Sequence, residues 1–451
     1  MYDLLLKNGY VYLDGTFRKC DVAVSGEKIG ALLECGTEAE ARQVIDLTGK
    51  YVLPGMIDFH CHLREPGPQE AFEDWETGTK AAANGGLTMV CIMCNDLENE
   101  LTDAATYDKT VEIAERRAVI DFMVAGCPMG MFAGKEMPVR SPFYKIKQRS
   151  FPGVLGDRMG TADSWLLDQL FAEVARQGKY MQIHPMDVPF HDALMKYVRE
   201  MPGEKTSESI FPYYYGEDEM AAGAWAMAYY IRKHHMKWHA LHCWHRGYID
   251  LVRMLKKQGD MDIVASLEFC PTNGRSDHMK DLVTGQTIDV GHCQIPDWDY
   301  VWKAVADGTI DMFGSDHCPQ SREGYYNPDA FKSSKGIPGW DCYGHMLLDE
   351  VYKGNLTLEK LVQCTSENGA KIYGWYDRKG SNLPGTDADF SIADLDEVWV
   401  SGEEKIYTKV QVNPYYGQKF HGRFIYTIVR GKVVMDHNEI VAEPGHGTFI
   451  G

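Results

Sequence analysis

The chain has 451 residues, enough for one large domain and a smaller one, because single hydrophobic cores stop growing at a few hundred residues. Its 44% apolar and 25% charged residues are ordinary for a soluble globular protein, and no apolar run reaches the ~20 residues of a membrane span. A formal net charge of −19 excludes a partner whose phosphates need Lys and Arg, so no nucleic acid is expected and the charge reads as a solvated acidic surface.

In chain order, Met1 to Gly9 lacks the basic and long apolar regions of a signal peptide, which predicts a cytoplasmic protein. Residues 1–50 are short alternating segments broken by Asp14-Gly15 and Ser25-Gly26, the texture of a small β unit. The same texture returns in residues 385–451, so both ends together are expected to build one small sandwich around an α/β middle, residues 51–384. Within that middle, strands are expected near 53–60, 87–94, 120–127, 151–156, 180–184, 240–245, 262–270 and 310–315. They alternate with helices that include 105–117, 164–177, 217–233 and 249–257. Eight such strands are the count of a (β/α)8 barrel, where chemistry sits at the C-terminal strand ends. Twelve cysteines scattered singly through a long chain fit reduced thiols, and Cys91-Ile92-Met93-Cys94 reads as core rather than zinc or redox chemistry.

The strand ends carry the polar residues of interest. His60 and His62 end the apolar run from Tyr51, and residues two apart on a strand point the same way, so both imidazoles face one side. Two neutral nitrogen ligands so placed can hold a transition-metal ion, although a lone His-x-His more often marks ordinary polar residues. His184 ends the fifth expected strand, His242 and His245 the sixth, and Asp316 the eighth, in Ser315-Asp316-His317-Cys318-Pro319. Four histidines and an aspartate at four strand ends are hard to explain as coincidence.

The run His62-Leu63-Arg64-Glu65-Pro66-Gly67, followed by Glu76-Thr77-Gly78-Thr79-Lys80 and Asn84-Gly85-Gly86-Leu87-Thr88, resembles the start of the cyclic amidohydrolases: dihydroorotase, hydantoinase (dihydropyrimidinase) and allantoinase. Gly336-Ile337-Pro338-Gly339-Trp340-Asp341 looks like that group's substrate loop, and Asn413-Pro414-Tyr415-Tyr416-Gly417 resembles the C-terminal region of hydantoinases and allantoinases. The resemblance implies a metal-dependent hydrolase of a cyclic amide or ureide, acting through a metal-activated hydroxide, probed against dihydroorotase, a purine-ring hydrolase or a metal-free scaffold as rivals. It implies His60, His62, His184, His245 and Asp316 as metal ligands, with Asp316 also the proton shuttle and His242 the competing choice on strand six. It implies zinc, with manganese or iron as alternatives, at one or two ions per chain, and a dimer or tetramer. Gly339 is expected at the substrate, and Arg64 and Asn95 sit where dihydroorotase holds its substrate's carboxylate.

One position departs from the family. A lysine on strand four usually carries a carbamate that bridges two metals, yet a strand at 151–156 puts Pro152 there. Lys147 serves only if the strand begins earlier, and Ser141-Pro142 reads as a helix start that argues against it. A single ion with Asp157 nearby is the favoured expectation, and a Lys147 carbamate with two ions the alternative.

Overall fold

The computed structural model describes residues 1–147, 164–210, 213, 216–269, 279–288, 297–334 and 336–451, with Lys147 described by its backbone. The two chain ends share one nine-stranded sheet. Lys419–Val429, Phe390–Val400, Tyr51–Pro54, Tyr2–Leu13 and Thr16–Ser25 are successive neighbours in it, so the C-terminal strands pair directly with an N-terminal one. Alternation along these strands buries Leu4, Leu6, Val22, Val24, Val52, Phe390, Ile392 and Ile428 in a core of their own.

The apolar run from Tyr51 is two strands rather than one. Tyr51–Pro54 belongs to the terminal sheet, and Met56–Cys61 begins the barrel. Gly55 makes the switch where backbones crowd: a Cβ there would stand 2.2 Å from Thr88 Oγ1 and 2.7 Å from Asp389 Cβ.

Among the described residues the barrel has eight parallel strands. Met56–Cys61, Leu87–Ile92 and Asp121–Val124 form one ladder. Tyr144–Lys147, Tyr180–His184, Lys237–Ala240, Ile263–Glu268 and Met312–Gly314 form the other. Main-chain bonds close the ring, from Lys145 N–H to Gly126 O (3.0 Å) on one side and from Asp316 N–H to His60 O and His62 N–H to His317 O (both 2.8 Å) on the other. Gly314 permits this second closure, since a Cβ would come within 2.8 Å of the His60 Cβ.

Strand four differs from expectation. Residues 151–156, with Pro152 and Asp157, lie outside the described residues, and the strand in register with Tyr180–His184 is Tyr144–Lys147. Ser141 does not start a helix. Its buried hydroxyl accepts from Gly126 N–H (2.8 Å) and donates to Phe143 O, fastening the chain just past the end of strand three and leading it into strand four. Strand six also stops early, at Ala240, so Leu241 onward is loop. Cys91 and Cys94 are buried, with Cys91 on strand two, as expected of core residues.

Where the terminal sheet meets the start of strand three, the Lys379 ammonium reaches Asp121, Asp387 (2.9 Å) and Asp389 (2.6 Å), all buried, and Arg430 adds a second cation against Asp121. The three carboxylates are close enough to hold a metal, but cations already pair with them: Lys379 with all three, Arg430 with Asp121, and Lys28 and Arg378 with Asp387. Burying charge is tolerable only when it is paired, so removing the cation should be costly. Lys379→Met is expected to destabilise the fold by ~3–5 kcal/mol, the range for breaking a buried ion pair from one side. Urea denaturation followed by tryptophan fluorescence measures it, and a loss under ~1 kcal/mol would mean that the remaining cations, Arg430, Lys28 and Arg378, carry the network.

Candidate metal centre

The first and eighth strands bring the centre together. His60 and His62, on one face of the first strand, direct Nε2 at the same oxygen, Asp316 Oδ1, at 3.5 and 3.3 Å. Their rings are nearly perpendicular, with centroids 5.2 Å apart. Asp316 adopts φ of +52°, a left-handed conformation uncommon outside glycine, and its N–H bond to His60 O holds it there. Burial opposes ionisation of the Asp316 carboxyl, but hydrogen bonds from His60 and His62, with charge from His60 and His242, keep it well below the usual carboxylate range. Burial also lowers His60, and the nearby Lys145 ammonium adds to this against the pull of Asp316, to about 3. His60 is therefore a neutral imidazole, the form that binds metal.

Two further strands complete the cluster. His184, at the end of Tyr180–His184, and His242, just past Ala240, meet edge to face with ring centroids 4.3 Å apart, and the His242 ring lies 5.1 Å from that of His60. His245, expected as the strand-six ligand, is the N-cap residue of helix Arg246–Gln258. The strand ends sooner than its apolar run suggested, which carries the chain past the barrel mouth at His242 instead. On strand four the side chain that reaches the cluster is that of Lys145: buried, with Nζ 3.5 Å from His60 Nε2. Lys147 lies at the end of the same strand, its backbone in register with His184.

Behind these groups Asp58 collects donors from three segments. Its Oδ1 accepts His60 N–H (3.1 Å) and Ser315 N–H (2.9 Å), and its Oδ2 accepts the Ser315 hydroxyl and Trp340 Nε1–H (2.6 Å). Burial raises Asp58 to about 6 while these donors pull it back. Trp340 in turn stacks on His317 with centroids 3.9 Å apart, and His317 Nδ1 accepts from Gly339 and Trp340 N–H. Gly339, expected at the substrate, is thus tied to the residue beside Asp316. At the end of strand seven Glu268 is fully buried. Burial would raise it, but the charge of His242, with help from His60 and the Ser266 hydroxyl, holds it down, to about 2.

Arg64 is buried, and its Nε and Nη2 both donate to Pro319 O (3.2 and 3.0 Å) while Nη2 reaches Cys318 Sγ (3.1 Å). Glu65, its neighbour, pairs with Arg117 instead. Asn95 lies in the short turn Cys94–Asp96 that follows strand two. Sequence reasoning passed over Lys145, Asp58 and Glu268. Asp58 was signalled by its place two residues before His60, and Glu268 by being the lone acid ending an apolar strand.

The amidohydrolase family model matches residues 51–434. The chain is 28% identical to a dihydroorotase of Methanosphaera stadtmanae over 90% of each chain. It is also 28% identical to an allantoinase of Rubrobacter xylanophilus over 100% of this chain and 97% of the relative. The solved L-hydantoinase (dihydropyrimidinase) of Arthrobacter aurescens superposes with a TM-score of 0.87 at 24% identity, covering 100% of this chain and 99% of that one, which shows the shared fold. A match across the whole barrel and the C-terminal part of the terminal sheet settles the family: this chain belongs to the amidohydrolases.

Proposed function

We propose that His60, His62, His184, His242 and Asp316 hold divalent metal, and that Lys145, carboxylated by carbon dioxide, supplies an anion shared between two ions. The observation that carries this is the convergence of both first-strand histidines on Asp316 Oδ1 with Lys145 Nζ beside them. The donor set fits such ions: a neutral His60 offers a lone pair, and Asp316 offers an ionised oxygen. As an ammonium, Lys145 would oppose a cation so close to His60; as a carbamate it reverses sign and offsets the repulsion between two ions. This favours two ions over the single-ion arrangement expected from Pro152, with zinc the first candidate and manganese or iron the alternatives.

The reaction is hydrolysis of a C–N bond in a cyclic amide or ureide. Bound metal supplies water acidified towards a pKa of ~7 and polarisation of the ring carbonyl. Asp316, ionised and facing the cluster, accepts the proton of the attacking water and returns it to the departing ring nitrogen. Arg64 supports a ring without a carboxylate, the hydantoinase or allantoinase type, over dihydroorotate, because its guanidinium is engaged by Pro319 O and Cys318 Sγ. Free thiols at all ten described cysteines support a reducing, cytoplasmic setting. The exposed aromatics Trp165, Tyr197, Trp225 and Tyr229 supply apolar surface for a homo-oligomer, to be checked by light scattering.

Turnover of hydantoin, dihydrouracil, allantoin and dihydroorotate by metal-loaded protein tests the substrate class; dihydroorotate as the best substrate by a wide margin would overturn the neutral-ring reading. The His60→Ala/His62→Ala double variant should lose bound metal, read by elemental analysis, while retaining its circular dichroism. Lys145→Ala should fall from two ions per chain to one or fewer, and two tightly held ions in that variant would rule out the carbamate. Asp316→Asn is expected to lose ~10²- to 10⁴-fold in kcat, the usual worth of acid–base help, and more than a tenth of the wild-type rate would remove it from the mechanism.

A further inference from the structure

Beneath the centre the barrel interior holds a line of buried polar side chains, where bulky apolar layers are the rule. Gln182, His239, Ser266 and Glu268, from strands five, six and seven, are all fully buried. Glu268 accepts the Ser266 hydroxyl at 2.5 Å, and Ser266 Oγ lies 2.8 Å from His239 Nε2. His239 Nδ1 lies 2.6 Å from the Tyr373 hydroxyl, which Gln182 Nε2 approaches at 3.5 Å while also donating to Phe59 O at 3.1 Å.

Counting protons gives this line a direction. A carboxylate only accepts, so the Ser266 hydroxyl donates to Glu268 and is left as an acceptor. His239 then donates from Nε2, its Nδ1 is bare, and the Tyr373 hydroxyl donates to it. Every hydrogen bond from Tyr373 onward thus points towards Glu268. Burial holds His239 neutral, at about 3, as this requires.

The other Glu268 oxygen accepts the main-chain N–H of His242, whose φ of +59° is left-handed. Strand seven grips the same turn twice more, through Cys243 N–H to Ser266 O (3.0 Å) and Trp244 Nε1–H to Glu268 O (3.1 Å). Glu268 Oε2 also stands 3.0 Å from His242 Nδ1, an ion-pair distance lying off the N–H axis.

We propose that Glu268 is a positioning residue: the one-way chain from Tyr373 fixes its negative charge behind His242, and its carboxylate holds the strained turn that aims the His242 ring into the metal centre. The inference rests on His242 being a ligand. Carboxylates behind metal-bound histidines orient the ring and raise its basicity, and losing them typically costs ~10- to 100-fold in metal affinity.

The test uses the full chain loaded with cobalt(II), with affinity read by chelator competition and ligand geometry by the visible absorption spectrum. Glu268→Gln keeps the side-chain shape and removes the charge; it should weaken cobalt binding ~10- to 100-fold and alter the spectrum. The metal-free variant should still unfold as a cooperative unit near the wild-type midpoint. Ser266→Ala, which cuts the chain one link away, should weaken binding by a smaller factor in the same direction. If Glu268→Gln does not fold, Glu268→Asp keeps the charge but withdraws it from the turn, and should show the same spectral change. Wild-type cobalt affinity and spectrum in the Glu268 variant overturn the proposal. His242→Ala separates the two ideas: if it binds cobalt like wild type, the assignment of His242 as a ligand fails, whereas loss of cobalt there with no effect of Glu268→Gln overturns only the role of Glu268.

Discussion

One buried carboxylate sets the geometry on which the centre depends. Asp58 has about four lone-pair sites and uses them on four donors, two from Ser315, one from His60 and one from Trp340. Those donors come from the first strand, the residue after the eighth strand and helix Trp340–Tyr352, the first of them over 250 residues from the other two in the chain. Because the site is sealed from water, each donor left unmatched would cost as much as the hydrogen bond itself gains. The arrangement is therefore all or nothing: His60, the turn into Asp316, and the Trp340 ring on which His317 stacks are placed together or not at all.

The centre also sorts its charges by depth. His60 is kept neutral, Asp316 is kept ionised, and the anionic Glu268 lies behind His242. Such an interior has low polarisability, so fixed charges act strongly there and a misplaced one is felt at once. Lys145 is the exception, a buried amine in company that favours a cation of another kind, and the carboxylation proposed for it would make the whole set consistent.

Most of the fold was legible because strands and helices announce themselves by apolar runs and periodicity, and both terminal β units were recognised by their alternation. The first-strand histidines and Asp316 were legible for the same reason: they end such runs. Strand four was hidden because Tyr144-Lys145-Ile146-Lys147 alternates apolar and charged residues, a pattern that ordinarily means a lysine face in water. Here the barrel interior is the polar side, and the pairing that reveals it is with residues nearly 40 positions later. The choice between His242 and His245 was hard to make from sequence for a smaller reason, since the end of a strand is the least visible part of an element and a shift of a few residues exchanges one histidine for another. Asp58 and Glu268 could not be ranked from sequence because their importance lies in what they accept, and those donors are scattered along the chain.

The strand Tyr51–Pro54 has a consequence for how the protein is made. Its outer edge pairs with Phe390–Val400, with Pro54 opposite Phe390, so the partner emerges from the ribosome 336 residues after the strand that awaits it. At ~5–20 residues per second that is a delay of ~20–70 s. Throughout it, an apolar strand with unpaired backbone groups stands open beside an already paired N-terminal meander, the kind of edge on which other chains nucleate. Newborn molecules pass through this interval before the last seventh of the sequence can cover the edge, which exposes the strand to aggregation during synthesis.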